Sequence, residues 1–521
     1  MAVKGAALVV AIGLGGLALT AAVSAGASQP VRVAAAAPQA LAPAPPAAPT
    51  PIPVLRADQI QLLEQTLAQA DSHGFDAGEF APPKVDTQLQ SNDPITRQLG
   101  QAQLIDAVFR YARAVHTGRL PTAAFMEDWG LRPAAWDPAP EFARAVSQDQ
   151  LQAWLDGLPP PYIGYDSLRQ ALATYRAIAA VGGWSPISPG PALKLGDKGK
   201  RVLELRARLA AEDRAAPAAP AASLIPVSAT PEAPAADGST FDAPLATAVM
   251  RAQKRFGLKD DGVVDRLTLT ALNVSVDQRI DQIIANMERW RWLPAVLPVD
   301  RIQVNVAAAI LTVFHADSPT LSMRAVTGRP GDETPMLQSR VESIVLNPPW
   351  NVPSSIAEKE LWPKERAHPG YFASHDFAVI QTPDGGSRLQ QRAGPQAALG
   401  KIKFDFPNTF GVYLHDTPTQ STFDRFGRLA SHGCVRLQHP LVLAKAVMQG
   451  DPAWTSEAID ATLASGKTVR VSLPQPIAVF LFYWTAYVTP DGQANFRGDP
   501  YGWDEELIDR IHTTQSAAGQ S

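Results

Sequence analysis

The sequence is nearly devoid of cysteine: Cys434 is the only one in 521 residues. No intrachain disulfide and no multi-cysteine metal site can form, so this thiol is either a small buried hydrophobe or a reactive group. Charge is sparse too, at 18% of residues against the usual ~25%. Neither sign dominates: 46 Lys and Arg face 50 Asp and Glu for a net charge of -4, which argues against nucleic acid or another polyanion as partner. Long apolar runs are missing beyond the N-terminus. The stretch Ile477–Val488 is too short to cross a bilayer, comes after Pro474 and Pro476 and is aromatic-rich, so it predicts a buried strand. Proline runs the other way, its 47 residues being nearly twice the usual ~5% share, and points to Ala/Pro-rich linkers. With 46% hydrophobic residues the chain can build real cores, and its length allows three or four domains.

Residues 1–27 read as an export signal, with Lys4 as the positive start, Ala6–Ala22 as the apolar run and Ala25-Gly26-Ala27 as a small-residue cleavage site. The alternative is an uncleaved N-terminal membrane anchor, because no charge intervenes between Lys4 and Arg32. Residues 28–56 form an Ala/Pro-rich linker. Residues 57–190 show helical periodicity, as in Ile60, Leu63, Leu67 and Leu104, Val108, Ala112, and predict a helical scaffold whose His73 and His116 are ordinary surface groups. A second helical unit, 191–275, opens on Leu195-Gly196-Asp197-Lys198-Gly199 and is interrupted by a low-complexity insertion at 215–237, expected to be a disordered loop. Its Ala252-Gln253-Lys254-Arg255-Phe256-Gly257-Leu258, Asp261-Gly262 and Thr268 to Leu272-Asn273 resemble the small three-helix peptidoglycan-binding module, with Ala252 where that pattern has Phe. The run Trp290-Arg291-Trp292 reads as packing between this module and the region beyond residue 300.

From residue 300 the pattern changes to short strands such as Ile302–Val306, Ala309–Phe314 and Arg340–Leu346. A β-rich domain is expected over 300–473, with an inserted helix-plus-loop lid at about 354–400 in which Trp362, Tyr371 and Phe372, like Trp350 before it, are packing residues. Residues 474–513 are expected as a strand and helix packing on that domain, and 514–521 as a disordered tail. The fold class is therefore multidomain α+β.

The chemistry concentrates in Tyr413-Leu414-His415-Asp416 and Ser431-His432-Gly433-Cys434-Val435-Arg436. A catalytic thiol must become a thiolate, and a positioned imidazole or a cationic neighbour promotes this. His415 lies 434 − 415 = 19 residues away and so belongs to another element, as a base reaching across a cleft would. His432, two residues from Cys434, would share its face on a strand. Gly433 permits a tight turn that could aim amide N–H groups at the oxygen of a tetrahedral intermediate. Asp416 either orients His415 or caps a turn. A zinc set of His415, His432, His439 and Cys434 has adequate ligand types, but the acyl-transfer layout is the simpler reading.

These residues resemble the L,D-transpeptidase family, whose signature is a His followed after a loop by Ser/Thr-His-Gly-Cys and then Arg or Asn two residues on. The likeness extends to large periplasmic Gram-negative members through Asn347–Val352, Gly394-Pro395, Leu399–Phe404 and Phe496-Arg497. The resemblance implies Cys434 as nucleophile, His415 as general base, Ser431, His432 and Gly433 shaping the site and its oxyanion hole, and Arg436 and Tyr413 positioning thiol and substrate. It implies a periplasmic enzyme that needs no metal or cofactor and takes peptidoglycan stem peptides as donor and acceptor. Such an enzyme breaks the diaminopimelate–D-Ala bond of a tetrapeptide stem and forms 3-3 cross-links. Transfer to water, attachment to an outer-membrane lipoprotein, or a non-catalytic wall-binding scaffold are the alternatives.

Overall fold

Asp93-Pro94 starts the dominant helix of the N-terminal region, the Asp93 carboxylate accepting from the amides of Ile95 and Thr96 while proline occupies the first turn. The structure, a computed structural model, describes residues 53–76, 78–82, 84–213, 238–383 and 385–518. The export signal or anchor, most of the linker and the insertion at 215–237 lie outside them. Among the described residues six α-helices make the scaffold: α1 (Ala57–Ala68), α2 (Val85–Leu89), α3 (Pro94–Thr117), α4 (Ala139–Ser147), α5 (Leu151–Asp156) and α6 (Ile163–Ala180). Leu104, Val108, Ala112 and Val115 recur every three or four residues along α3 and bury against Leu63 and Leu67 of α1 and Phe142 of α4. No helix among the described residues is long and apolar enough to cross a membrane.

The expectation for His73 fails. It is buried, its ring stacks on Tyr165 with centroids 6.0 Å apart, and its Nδ1 lies 2.9 Å from the Tyr165 hydroxyl. Arg291 reaches the same place from another helix, donating to the His73 carbonyl at 2.5 Å and to Tyr165 at 3.0 Å. A lone histidine in a helical region carries no sign of which neighbour will cover it. His116 is half-buried against Trp136.

The second helical unit holds α7 (Lys200–Asp213), α8 (Ala243–Arg255) and α9 (Arg266–Leu272), the last two capped by Asp242 and Asp265. The motif glutamine is structural: Gln253 donates to the Val263 carbonyl at 2.9 Å and accepts from the Gly262 amide at 2.9 Å, clamping the Asp261-Gly262 turn. Helix α10 (Val276–Arg291) opens with a Ser275/Gln278 capping box and joins the parts. The aromatic run at its end packs as expected, though with the scaffold as a partner: Trp292 stacks near Phe125 and Trp129, while Trp290 lies on Trp484.

The β-rich part is one mixed sheet of nine strands: β1 (Arg301–Asn305), β2 (Ile310–His315), β3 (Ser318–Gly328), β4 (Leu337–Leu346), β8 (Ile402–Asp405), β9 (Leu414–His415), β10 (Leu429–Ser431), β11 (Val435–Leu437) and β12 (Val469–Phe482). The order is β10-β3-β11-β9-β8-β4-β12-β1-β2, and β2 pairs with β3 as well, so eight strands close a circuit around the core. The long β3 makes closure possible by pairing with β2 through its first half and with β11 through Ala325 and Val326.

Three boundaries differ from the sequence expectation. The 473 boundary falls inside β12, which crosses Pro474 and Pro476 at a register shift between Ser472 and Ile477, a place where prolines are tolerated in a sheet. Beyond it, β13 (Ala486–Val488) and β14 (Ala494–Phe496) form a hairpin whose Ala486 and Phe496 pack on α6 and the second helical unit, not on the sheet. The closing helix runs Trp503–Ala518, into the stretch read as a tail; Thr514 is still bonded to the Arg510 carbonyl. The insertion is also more than helix and loop. Its strands β6 (Phe377–Gln381) and β7 (Ser387–Gln391) join β5 (Trp350–Asn351) in a separate three-stranded sheet over a small core of Val352, Leu361, Phe372 and Leu389.

Candidate active site

Alternation on three neighbouring strands gathers the site. Ile402 and Phe404 of β8, Leu414 of β9 and Val435 and Leu437 of β11 all enter the core. The residues between them therefore face the other way: Lys403 and Asp405, Tyr413 and His415, and Arg436. Register lines them up, with His415 opposite Lys403 on one side and Arg436 on the other. Because β9 and β11 run parallel, and Val435 N donates to the Tyr413 carbonyl at 3.1 Å, Cys434 arrives beside Tyr413, two residues before the Arg436–His415 pair. A 19-residue separation in sequence thus becomes an offset of two residues across one ladder.

Residues 432–434 form a bend between β10 and β11, so the strand argument that put His432 and Cys434 on one face does not apply. Gly433 has φ +100°, and a Cβ there would stand 3.1 Å from the Glu333 carbonyl. Ser431 Oγ donates to the Cys434 carbonyl at 2.5 Å and Thr334 Oγ1 to the Gly433 carbonyl at 2.7 Å. Both peptide planes beside the thiol are pinned, which pre-organises the amides that are candidates for an oxyanion hole. Thr334 is itself braced, since its amide donates to the Tyr501 hydroxyl, which donates to the Gly328 carbonyl.

His415 is buried and its Nδ1 lies 2.5 Å from the Asp416 backbone carbonyl. A carbonyl only accepts, so Nδ1 carries the proton and Nε2 is the lone-pair nitrogen of the neutral ring. The two roles open to Asp416 are divided between its groups. Its carbonyl holds the imidazole, while its carboxylate accepts from the amides of Lys401 and Thr417, each at 2.7 Å. This carboxylate fits because Gly400, at φ +60°, has no side chain; a Cβ would lie 2.4 Å from the Asp416 carboxyl. Gly400→Ala is therefore expected to destabilise the fold by about 1–3 kcal/mol and to displace the carbonyl that orients His415. Urea unfolding together with an acylation rate checks this; an unchanged midpoint and rate would contradict it.

Burial pushes the Cys434 thiol above its ordinary range, opposed by hydrogen bonds from Tyr413 and by the charges of Lys403 and Arg436. Burial likewise holds the His415 imidazole down, at about 3, with help from the Arg436 and Lys403 charges. The phenol of Tyr413 is raised by burial and by the facing thiol. The resting pair is thus a neutral thiol and a neutral imidazole. Alkylation of Cys434 by iodoacetamide should be slower at pH 7 than for a free thiol and rise about tenfold per pH unit through pH 9. A fast, pH-independent reaction at pH 6–7 would show a preformed thiolate instead. Arg436 forms no ion pair with a carboxylate among the described residues, and its Nε is buried without a partner.

Several site features were invisible in sequence. A cleft of about 350 Å³ beside Tyr413 is lined by Trp350, Asn351, Lys403, Asp405 and Asn408, so Trp350 is a cleft wall and not only packing. Lys403 lies over the Tyr413 ring at 4.0 Å and pairs with Asp405 at 2.7 Å. Asn347, one of the residues that carry the family resemblance, ties the end of β4 to the carbonyls of Thr462 and Lys467. Glu360 of the insertion bonds His432 at 2.6 Å. The residues considered as zinc ligands have separate surroundings, His432 on Glu360, His415 on the Asp416 carbonyl and His439 exposed.

Three family models match: an L,D-transpeptidase catalytic domain at residues 299–454, a scaffold domain at 55–172 and a "Putative peptidoglycan binding domain" at 227–272. A curated protein of Haemophilus influenzae, "Putative L,D-transpeptidase", is 31% identical over 250 residues, 45% of this chain and 50% of that protein. The chain thus spans about half the length of the curated relative it matches. Among solved structures, an L,D-transpeptidase from Mycobacterium smegmatis is 15% identical over 35% of this chain and 58% of that one, with a TM-score of 0.19. The catalytic domain of an Enterococcus faecium L,D-transpeptidase, acylated by ertapenem, is 13% identical over 36% of this chain and 99% of that one, at a TM-score of 0.18.

Proposed function

We propose that the chain, whose residues 299–454 match the model of an L,D-transpeptidase catalytic domain, is a peptidoglycan L,D-transpeptidase whose nucleophile is Cys434. The observation that carries this is the thiol placed beside Tyr413 and two residues along the ladder from a neutral imidazole whose tautomer is set by the Asp416 carbonyl. In the first half-reaction the sulfur attacks the diaminopimelate carbonyl of a tetrapeptide stem as His415 Nε2 takes the thiol proton. Concerted transfer suits a thiol that burial keeps neutral. The amides around Gly433 and Cys434 take the developing oxyanion, and Arg436 and Tyr413 steady the sulfur and substrate. His415 returns the proton to the leaving amine and D-Ala departs. An amine of a second stem then takes the acyl group, giving a 3-3 cross-link.

No metal or cofactor enters this scheme. The body would work in the periplasm, where the wall lies, with the module at 227–272 holding peptidoglycan. The test is to incubate the full chain with tetrapeptide stems and weigh the products. D-Ala plus cross-linked dimer supports the reading; tripeptide alone marks an L,D-carboxypeptidase; adducts to a lipoprotein lysine mark an attachment enzyme. Intact substrate would leave a wall-binding scaffold.

A further inference from the structure

Glu360 belongs to the single wide helical turn Ala357–Leu361 of the inserted subdomain, and its Oε1 lies 2.6 Å from His432 Nε2. Wide turns of this kind concentrate at functional positions. A carboxylate only accepts, so Nε2 carries the shared proton and Nδ1 is the lone-pair nitrogen of the neutral ring. Arg329 approaches the same carboxylate oxygen at 3.6 Å, and its own amide donates to the Ser431 carbonyl at 3.0 Å. The carboxylate is therefore fastened to the turn that carries the thiol.

Two histidines of opposite exposure flank Cys434. His415 is 4% exposed, its Nδ1 on the Asp416 carbonyl and its strand position opposite Arg436. The side chains of His432 and Glu360 are 27% and 35% exposed, open to a second molecule arriving from solvent.

We propose that His432, oriented by Glu360, is the base for the acceptor amine, and that His415 serves the thiol. The proposal rests on the acyl-transfer reading above. In the second half-reaction the free amine attacks the thioester carbonyl and an N–C bond forms. The attached ammonium is a better leaving group than the thiolate, so the adduct goes forward only once one N–H proton has left. That proton moves to His432 Nδ1, the C–S bond breaks, and the proton passes from the imidazolium to the departing thiolate, restoring both groups. Glu360 is a positioning residue, which fixes the tautomer and stabilises the imidazolium. Water is small enough to reach the buried side; an amine borne on a stem peptide meets the open one. Loss of Glu360 should therefore favour hydrolysis over cross-linking.

Glu360→Gln keeps an acceptor oxygen for the Nε2 proton, and hence the contact of the subdomain, while removing the charge. In the full chain, with tetrapeptide stems, the acylation rate is read from D-Ala release in a single turnover and the second step from dimer and tripeptide by mass. The expected result is that the second step slows about tenfold more than the first and that the dimer-to-tripeptide ratio falls about tenfold. His432→Gln should move the ratio the same way. Equal slowing of both steps, which a merely structural lid contact would give, overturns the proposal, and so does an unchanged ratio. Tripeptide alone from the wild type also overturns it, whereas absence of D-Ala release from the wild type overturns the acyl-transfer reading itself.

Discussion

Cys434→Ala is expected to abolish acyl-enzyme formation with a tetrapeptide stem, lowering D-Ala release by on the order of 10⁴-fold or more. No other residue can take over, because the chain has no second cysteine. The bend that carries the sulfur is held by Ser431 and Thr334 acting on backbone carbonyls, and these bonds do not involve the thiol. The variant should therefore fold as the parent does, with stability within about 1 kcal/mol for a half-buried side chain this small. Intact-mass spectra after incubation with substrate decide the matter. An adduct of unchanged yield in the alanine variant would remove Cys434 from the mechanism.

His415→Gln should slow acylation by about 10²–10⁴-fold, the range a positioned general base supplies. Glutamine can still offer an N–H to the Asp416 carbonyl, so the loss would report the missing lone pair more than a disturbed fold. The pH profile adds a second check. The folded ring is held down at about 3, so it stays neutral and able to accept a proton at higher pH and loses that ability only as pH falls through about 3. Acylation should consequently show no falling limb near 6.5. Stability has the same sign. His415 and His73 take protons near 6.5 when unfolded and only near 3 when folded, so the stability they contribute above 6.5 is lost progressively as pH falls towards 3. A limb at 6.5 in the wild-type rate profile, absent from His415→Gln, would show instead an ordinary exposed imidazole.

Legibility differed by the range of the interaction. Scaffold helices were readable because α3 repeats its apolar residues every three or four positions and Asp93-Pro94 marks where it starts. Strands around residues 301–346 were readable from alternation. The inserted three-stranded sheet was not, because β5 meets β7 across some forty residues of intervening chain, and the prolines at 474 and 476 hid the continuity of β12. For His73, burial depended on Tyr165 and Arg291, neither of which is near it in sequence.

The sequence alone determined which thiol is the candidate nucleophile and what surrounds it locally. One cysteine within Ser-His-Gly-Cys-Val-Arg, preceded by Tyr-Leu-His, already restricts the chemistry, since residue types and short spacings are properties of the chain itself. Tertiary structure decided which partner each group acquires. Parallel pairing of β9 with β11 placed His415 opposite Arg436, two residues from the thiol, the Asp416 carbonyl rather than its carboxylate set the tautomer, and Glu360 reached His432 from 72 residues upstream. The physical reason is that hydrogen bonds and burial act over a few ångströms of space, and only the folded chain specifies which distant residues share them.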